Sequence, residues 1–377
     1  MKQLTPEFYE SNLPKLGFGI MRLPMTVEGD NQKIDMPRTQ ELVDAYMAAG
    51  FNYFDTAYVY HGGASETAIR ETIVKKYPRE SFYLADKMPL WQIDSEEKLE
   101  TTFQEQLDRC GVDYFDFYLL HCLDRNREKS AAEVKAFDFL ARIKQEGRAT
   151  FVGCSFHDTP DALEHILANH PELEFVQLQI NYLDWNDTMR SDEYYRIARK
   201  YNKPIIIMEP VRGGVLAKLP EEAEALLKQA RPGDSMAKWA FRFCYSLPGV
   251  ITTLSGMSNM EQVQENLETF AHLEKLTETE QELLRKAVEI FKATNLVPCT
   301  ACKYCVDCPA KVHIPDIFTV YNEYKRSGNL GFSQNRYRDI GAEHQAAQCV
   351  ACGQCEGLCP QHINIIERLK VVQERLG

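Results

Sequence analysis

Eight of the chain's 12 cysteines fall in one short stretch, and their spacing limits what that stretch can become. The first run is Cys299-x2-Cys302-x2-Cys305-x2-Cys308-Pro309. The second is Cys349-x2-Cys352-x2-Cys355-x3-Cys359-Pro360. The other four, Cys110, Cys122, Cys154 and Cys244, are scattered over the rest of the chain. The segment from Met1 to Leu16 is polar and charged and lacks the apolar centre of a secretory signal. The expected setting is therefore cytoplasmic, where thiols stay reduced and a disulfide scaffold is not favoured. That leaves metal binding, catalysis or packing. Three cysteines at steps of three turn three thiolates towards one centre, and paired C-x2-C steps also suit a tetrahedral zinc. The scattered cysteines are expected to pack as small buried residues.

The rest of the sequence alternates between two patterns. Apolar and β-branched runs recur at residues 16–23, 52–56, 82–87, 114–121, 150–156, 175–181, 204–210 and 250–256. Such continuous runs suit parallel strands buried on both faces. Between them lie helical stretches at 37–49, 95–110, 131–145, 159–168, 191–201 and 261–273. Eight strands alternating with helices predict an α/β fold, a (β/α)8 TIM barrel. A doubly wound dinucleotide fold would need G-x-G-x-x-G after its first strand, and Gly17-Phe18-Gly19 continues as Ile20-Met21-Arg22. A charged helix over 278–294 leads into the cysteines, and helices return at 314–325 and 363–375. The expected division is a barrel over residues 1–290 and a small α-helical cysteine-rich domain over 291–377. A domain that small builds a limited core and commonly needs a metal to hold it. The net charge of −12 argues against nucleic acid as the main partner, and no apolar run is long enough to span a membrane.

The cysteine runs resemble a bacterial-type 2×[4Fe–4S] ferredoxin, in which the fourth cysteine of each run ligates the other cluster. The resemblance implies that Cys299, Cys302, Cys305 and Cys359 hold one cluster. Cys349, Cys352, Cys355 and Cys308 would hold the other. The first run departs from the pattern with two residues rather than three before its last cysteine, which leaves the crossed pairing of Cys308 and Cys359 open.

Chemistry in a barrel of this kind sits at the C-terminal ends of the strands. Those ends carry Asp55, Lys87 and His121, each closing an apolar run, and Tyr60 lies in the loop beyond Asp55. A tyrosine with a free pKa near 10 needs help to exchange a proton near neutrality, and an adjacent lysine lowers that pKa. A carboxylate holds the lysine charged, and a histidine hydrogen-bonds a substrate oxygen. Tyr58 competes for the tyrosine role. His61 is a further candidate lining residue, and Trp91 and Trp185 are candidate pocket walls.

At these residues the sequence resembles the aldo-keto reductase family. Phe54-Asp55-Thr56-Ala57-Tyr58-Val59-Tyr60, Ala85-Asp86-Lys87 and Leu119-Leu120-His121 match its motifs, so Asp55, Tyr60, Lys87 and His121 are implied to be catalytic. Ser155, in Gly153-Cys154-Ser155, and Gln177 match its nicotinamide contacts, although Phe156 stands where an asparagine is usual. Met208 takes the place of a stacking aromatic. Gly256 to Asn266 resembles the adenosine-phosphate loop, with Glu265 and Asn266 in adenine-contacting places. Gln262 stands at a usual arginine position, which predicts weakened preference for the 2′-phosphate of NADP over NAD.

The resemblances imply an NAD(P)-dependent oxidoreductase that passes hydride to or from a small carbonyl or alcohol substrate, with two [4Fe–4S] clusters for electron transfer or structure. One alternative is an electron-transfer protein serving a redox partner protein. It would need a one-electron mediator such as flavin, for which no motif is evident. A third reading is a non-catalytic nucleotide sensor whose clusters only fold the tail.

Overall fold

The computed structural model describes residues 2–28, 31–187 and 189–377. Eight parallel strands close into a barrel: β1 (Leu16–Gly19), β2 (Tyr53–Asp55), β3 (Tyr83–Met88), β4 (Phe115–Leu123), β5 (Ala149–Phe156), β6 (Phe175–Gln179), β7 (Ile205–Met208) and β8 (Val250–Ser255). Each strand pairs with its neighbours in sequence, and β1 closes the ring between β8 and β2. A hairpin of Met25–Glu28 and Asn31–Ile34 leaves the barrel between β1 and β2.

The strand periodicity of two sorts the side chains into two cores. Leu84, Tyr118, Leu120, Val152, Val176, Ile205 and Ile207 face outward and pack in the layer shared with the helices. Tyr53, Ala85, Phe117, Leu119, Phe151, Phe175, Ile206 and Ile251 face inward and fill the barrel. The Phe117 ring lies 5.1 Å from those of Tyr53 and Phe151 and 5.3 Å from that of Phe175. Burying one such ring contributes on the order of 1.5–3 kcal/mol, with about 0.5–1.5 more for each well-placed aromatic pair. The helix Pro6–Asn12, capped by the Thr5 side chain accepting from Phe8 N–H, adds Tyr9 and nearby Leu13 to this inner core and so plugs the barrel where the strands begin. Nothing in the alternating pattern announced this helix.

Gly153 in β5 is fixed by a close approach. A Cβ there would stand 2.4 Å from the Phe175 carbonyl oxygen. The helix expected over 131–145 is two helices, Arg125–Glu133 and Ala136–Gln145. They break at Lys135, whose φ of 58° cannot continue a right-handed helix. The first strand is shorter than expected, because Ile20–Arg22 turns into a 3-10 helix.

Compactness does not follow a single cut along the sequence. One unit comprises Met1–Pro210 and Ala240–Lys275. The other comprises Val211–Trp239 and Leu276–Gly377. The second unit therefore takes in the segment after β7, including helix Glu221–Ala230, whose following Arg231 pairs with Glu280 of helix Glu278–Ala293 at 2.7 Å. Its core is built by helices Ile314–Ser327 and Ile365–Leu376, with Ile314, Ile317, Phe318, Ile365, Leu369 and Val372 buried together. Asn322 ties the extended entry segment to this core, since its side chain accepts from Val297 N–H and donates to Val297 C=O, both at 2.8 Å. No helix among the described residues is long and apolar enough to cross a membrane.

Candidate active site and metal centre

The inward set continues one step further along the strands. Two residues beyond Tyr53, Ala85, Leu119, Phe175 and Ile206 come Asp55, Lys87, His121, Gln177 and Met208. The same parity that fills the barrel thus ends in a ring of functional side chains at the C-terminal mouth. Register puts Asp55 opposite Ala85 and Ser155 opposite Gln177.

Lys87 is 1% exposed. Its ammonium donates to Asp55 Oδ1 at 2.6 Å and to the Thr56 carbonyl at 2.5 Å. Burial alone would lower its pKa, but Asp55 and the Tyr60 side chain outweigh that and push it up, so Lys87 stays charged. Asp55 Oδ2 accepts from Gln177 Nε2 at 2.9 Å, which leaves the carboxylate held from both sides. The Lys87 ammonium stands 4.9 Å from the centre of the Tyr60 ring. Burial pushes the Tyr60 phenol up to about 12, with Lys87 pulling the other way and Asp55 adding to the rise. The His121 ring lies 6.0 Å from that of Tyr60 and 5.1 Å from that of Trp91. Burial and the Lys87 charge drive the His121 pKa well below 6.5, so the imidazole is neutral. Its Nδ1 is buried and has no hydrogen-bond partner among the described residues.

Tyr58 goes elsewhere. Its hydroxyl donates to Glu105 Oε2 at 3.0 Å, and the Arg109 guanidinium lies over its ring at 4.4 Å. His61 Nε2 faces Leu23 N–H and the Ile20 carbonyl, and so pins the turn after β1. Trp185 packs on Tyr195 and Phe243. Ser155 Oγ accepts from Cys122 N–H at 2.9 Å. Cys110, Cys122, Cys154 and Cys244 are buried, and burial pushes the Cys154 thiol up to about 12.

Around the later loop, Asn266 Nδ2 donates to Ser255 Oγ at 3.0 Å. Gln262 Oε1 accepts from Ser258 N–H at 2.8 Å, so its amide caps its own loop. Glu265 keeps Oε1 out of water with no partner among the described residues. A Cβ on Gly256 would come within 3.1 Å of the Arg22 side chain, and Ser258 Oγ donates to the Arg22 carbonyl at 2.7 Å. Arg22 was not singled out by the sequence patterns, although its place just after β1 is where barrel loops carry functional groups. A second unforeseen group is the buried set Gln179, Asn181 and Asp184. Both amides donate to Asp184 Oδ2 at 2.8 Å and so shape the loop after β6.

In the second unit, Cys299, Cys302, Cys305 and Cys359 line one cavity, walled by Ile314, Phe318, Ile363 and Ile365. Cys355 is close enough to Cys349, Cys308 and Cys352 for their charges to interact. The cavity thus brings three cysteines of the first run together with the last cysteine of the second. Burial raises the thiols of Cys299 and Cys355 to about 11 and that of Cys305 to about 12. Thiols that converge in this way are a donor set suited to bound cations, which stabilise the thiolate form. Left-handed residues at Ala301, Lys303 and Ala351 bend the loops between the cysteines.

Residues 15–289 match the Aldo/keto reductase family, and residues 298–363 match a 4Fe-4S dicluster domain. The chain belongs to the aldo/keto reductase family. Among curated relatives, the uncharacterized oxidoreductase YqkF of Bacillus subtilis is 24% identical over 67% of this chain and 89% of its own length. An aldo-keto reductase of Mycobacterium avium is 26% identical over 69% of this chain and 82% of its own length. The solved aldo-keto reductase from Bacillus halodurans in its holo form shares the fold with a TM-score of 0.60 at 23% identity, covering 72% of this chain and 91% of its own. In this chain the family barrel is thus followed in sequence by an iron–sulfur domain.

Proposed function

We propose that the barrel catalyses NAD(P)-dependent interconversion of a small carbonyl compound and its alcohol, with Tyr60 as proton donor. The arrangement of Lys87 between Asp55 and the Tyr60 ring, beside a neutral His121, carries this reading. The nucleotide is accommodated by the loop over residues 255–266. There the Arg22 side chain packs against Gly256, and Glu265 Oε1 lacks a partner among the described residues.

A bound nicotinamide supplies or accepts the hydride. Tyr60 Oη gives its proton to the carbonyl oxygen and takes it back in the reverse direction. Lys87 favours the phenolate that remains, and Asp55 holds Lys87 in place. The neutral His121 donates a hydrogen bond to the same oxygen. Tyr60→Phe should lower kcat by about 10²–10⁴-fold with little change in nucleotide affinity. Retained turnover would sink the assignment. With Gln262 capping its own loop instead of offering a guanidinium, NADPH should bind no more than about tenfold more tightly than NADH. Titration of both nucleotides by tryptophan fluorescence measures the ratio.

For the second unit we infer two [4Fe–4S] clusters, one on Cys299, Cys302, Cys305 and Cys359 and one on Cys349, Cys352, Cys355 and Cys308. Iron and sulfide counts on anaerobically purified protein test this. The exposure of Cys352 and of Val350, at 68%, favours exchange of single electrons with an external redox partner. Bleaching of the clusters by NADH alone in flavin-free protein would instead support direct internal transfer.

A further inference from the structure

Arg212 is an arginine that the carbonyl chemistry does not use, and it is 3% exposed. It opens the turn Arg212–Ala217, with its own φ at 50° and that of Gly213 at 63°. A Cβ on Gly213 would stand 2.4 Å from the Thr300 carbonyl oxygen, so only glycine lets this turn lie against the first cysteine loop. The guanidinium then reaches two separate stretches of chain. Nη1 donates to the Pro298 carbonyl at 3.0 Å, and Nη2 donates to Gln361 Oε1 at 3.2 Å. Pro298 immediately precedes Cys299, and Gln361 follows Cys359-Pro360. One buried cation thus bridges the two segments that bring Cys299 and Cys359 to the same cavity.

We propose that Arg212 is a positioning residue whose charge raises the reduction potential of the cluster held by Cys299, Cys302, Cys305 and Cys359, and not that of its neighbour. The inference rests on the cluster reading above. Reduction adds one electron, taken from an external one-electron donor, and so one unit of negative charge to the cluster. A fixed cation nearby stabilises the reduced form more than the oxidised form.

The test is a redox titration of the anaerobic full-length holoprotein, followed by electron paramagnetic resonance, after iron and sulfide have been counted. Arg212→Gln should reduce the reduced-to-oxidised ratio of one cluster about tenfold at a fixed potential, equivalent to about 59 mV, and leave the other unmoved. Arg212→Lys, which keeps the charge, should recover most of the shift. If Arg212→Gln fails to retain iron, Gln361→Glu replaces it, because a carboxylate against the guanidinium offsets its field and should lower the same potential. Normal iron content with an unmoved potential in the variant titrated overturns the inference alone. An equal shift of Arg212→Lys and Arg212→Gln overturns the charge argument. A wild-type protein without iron and sulfide overturns the cluster reading and this inference with it.

Discussion

The barrel site and the cysteine unit solve the same problem, holding reactive groups in place, by opposite means. Asp55, Lys87 and Gln177 ride on paired strands, and their positions follow from register and parity, while His121 follows the parity of β4 at a break in its register with β5. The cysteines ride on loops with left-handed residues at Ala301, Lys303 and Ala351, over a small helical core. A backbone ladder holds the first site without any ligand. On the cluster reading, the second depends on what its thiols bind.

Iron removal should separate the two most strongly. Chelation under reducing conditions should abolish hydrogen-exchange protection in Ile314–Ser327 and Ile365–Leu376 while strands β2 to β6 keep theirs. Equal loss in both regions would break the contrast. Next in size is Lys87→Met, which strands Asp55 in a buried site and should cost about 3–5 kcal/mol in urea unfolding of the barrel. Smaller effects compare one packing contact in each region. Gly153→Ala should cost about 1–3 kcal/mol through its clash with the Phe175 carbonyl. Asn322→Ala should cost about 1–3 kcal/mol in the second unit by leaving Val297 N–H and C=O unpaired.

The smallest expected effect is a flat pH profile. With Tyr60 near 12 and His121 depressed well below 6.5, kcat/KM for carbonyl reduction should hold level between about pH 7 and 9. An inflection in that window would show that one of these groups titrates differently. The sign for stability follows from the same shift. The folded Tyr60 pKa lies above its ordinary value of 10, so its contribution is complete below pH 10 and is lost as pH rises through about 12.

The strand-end residues were legible because strand parity and the barrel rule together fix where Asp55, Lys87 and His121 point. The motif match pointed to Tyr60 rather than Tyr58, and the fold supplies a physical reason, since it turns Tyr58 towards Glu105. The Gln179–Asn181–Asp184 set was hidden because its bonds depend on how one loop folds back. Arg212 was hidden by distance along the chain, since its partners Pro298 and Gln361 lie far beyond it in sequence. The cysteine spacing pointed to clusters but left the pairing open, because only the fold brings Cys359 to the cavity lined by Cys299, Cys302 and Cys305.

That convergence sets an order on synthesis. The cavity of Cys299, Cys302 and Cys305 lacks its fourth wall until Cys359 has been made, and Cys308 waits for Cys349, Cys352 and Cys355. At about 5–20 residues per second, the nascent chain carries unmatched thiols for several seconds after the barrel sequence has been translated. On the two-cluster reading, iron delivered in that interval would meet incomplete sites, and assembly of both centres would be tied to the last stretch of the domain to emerge.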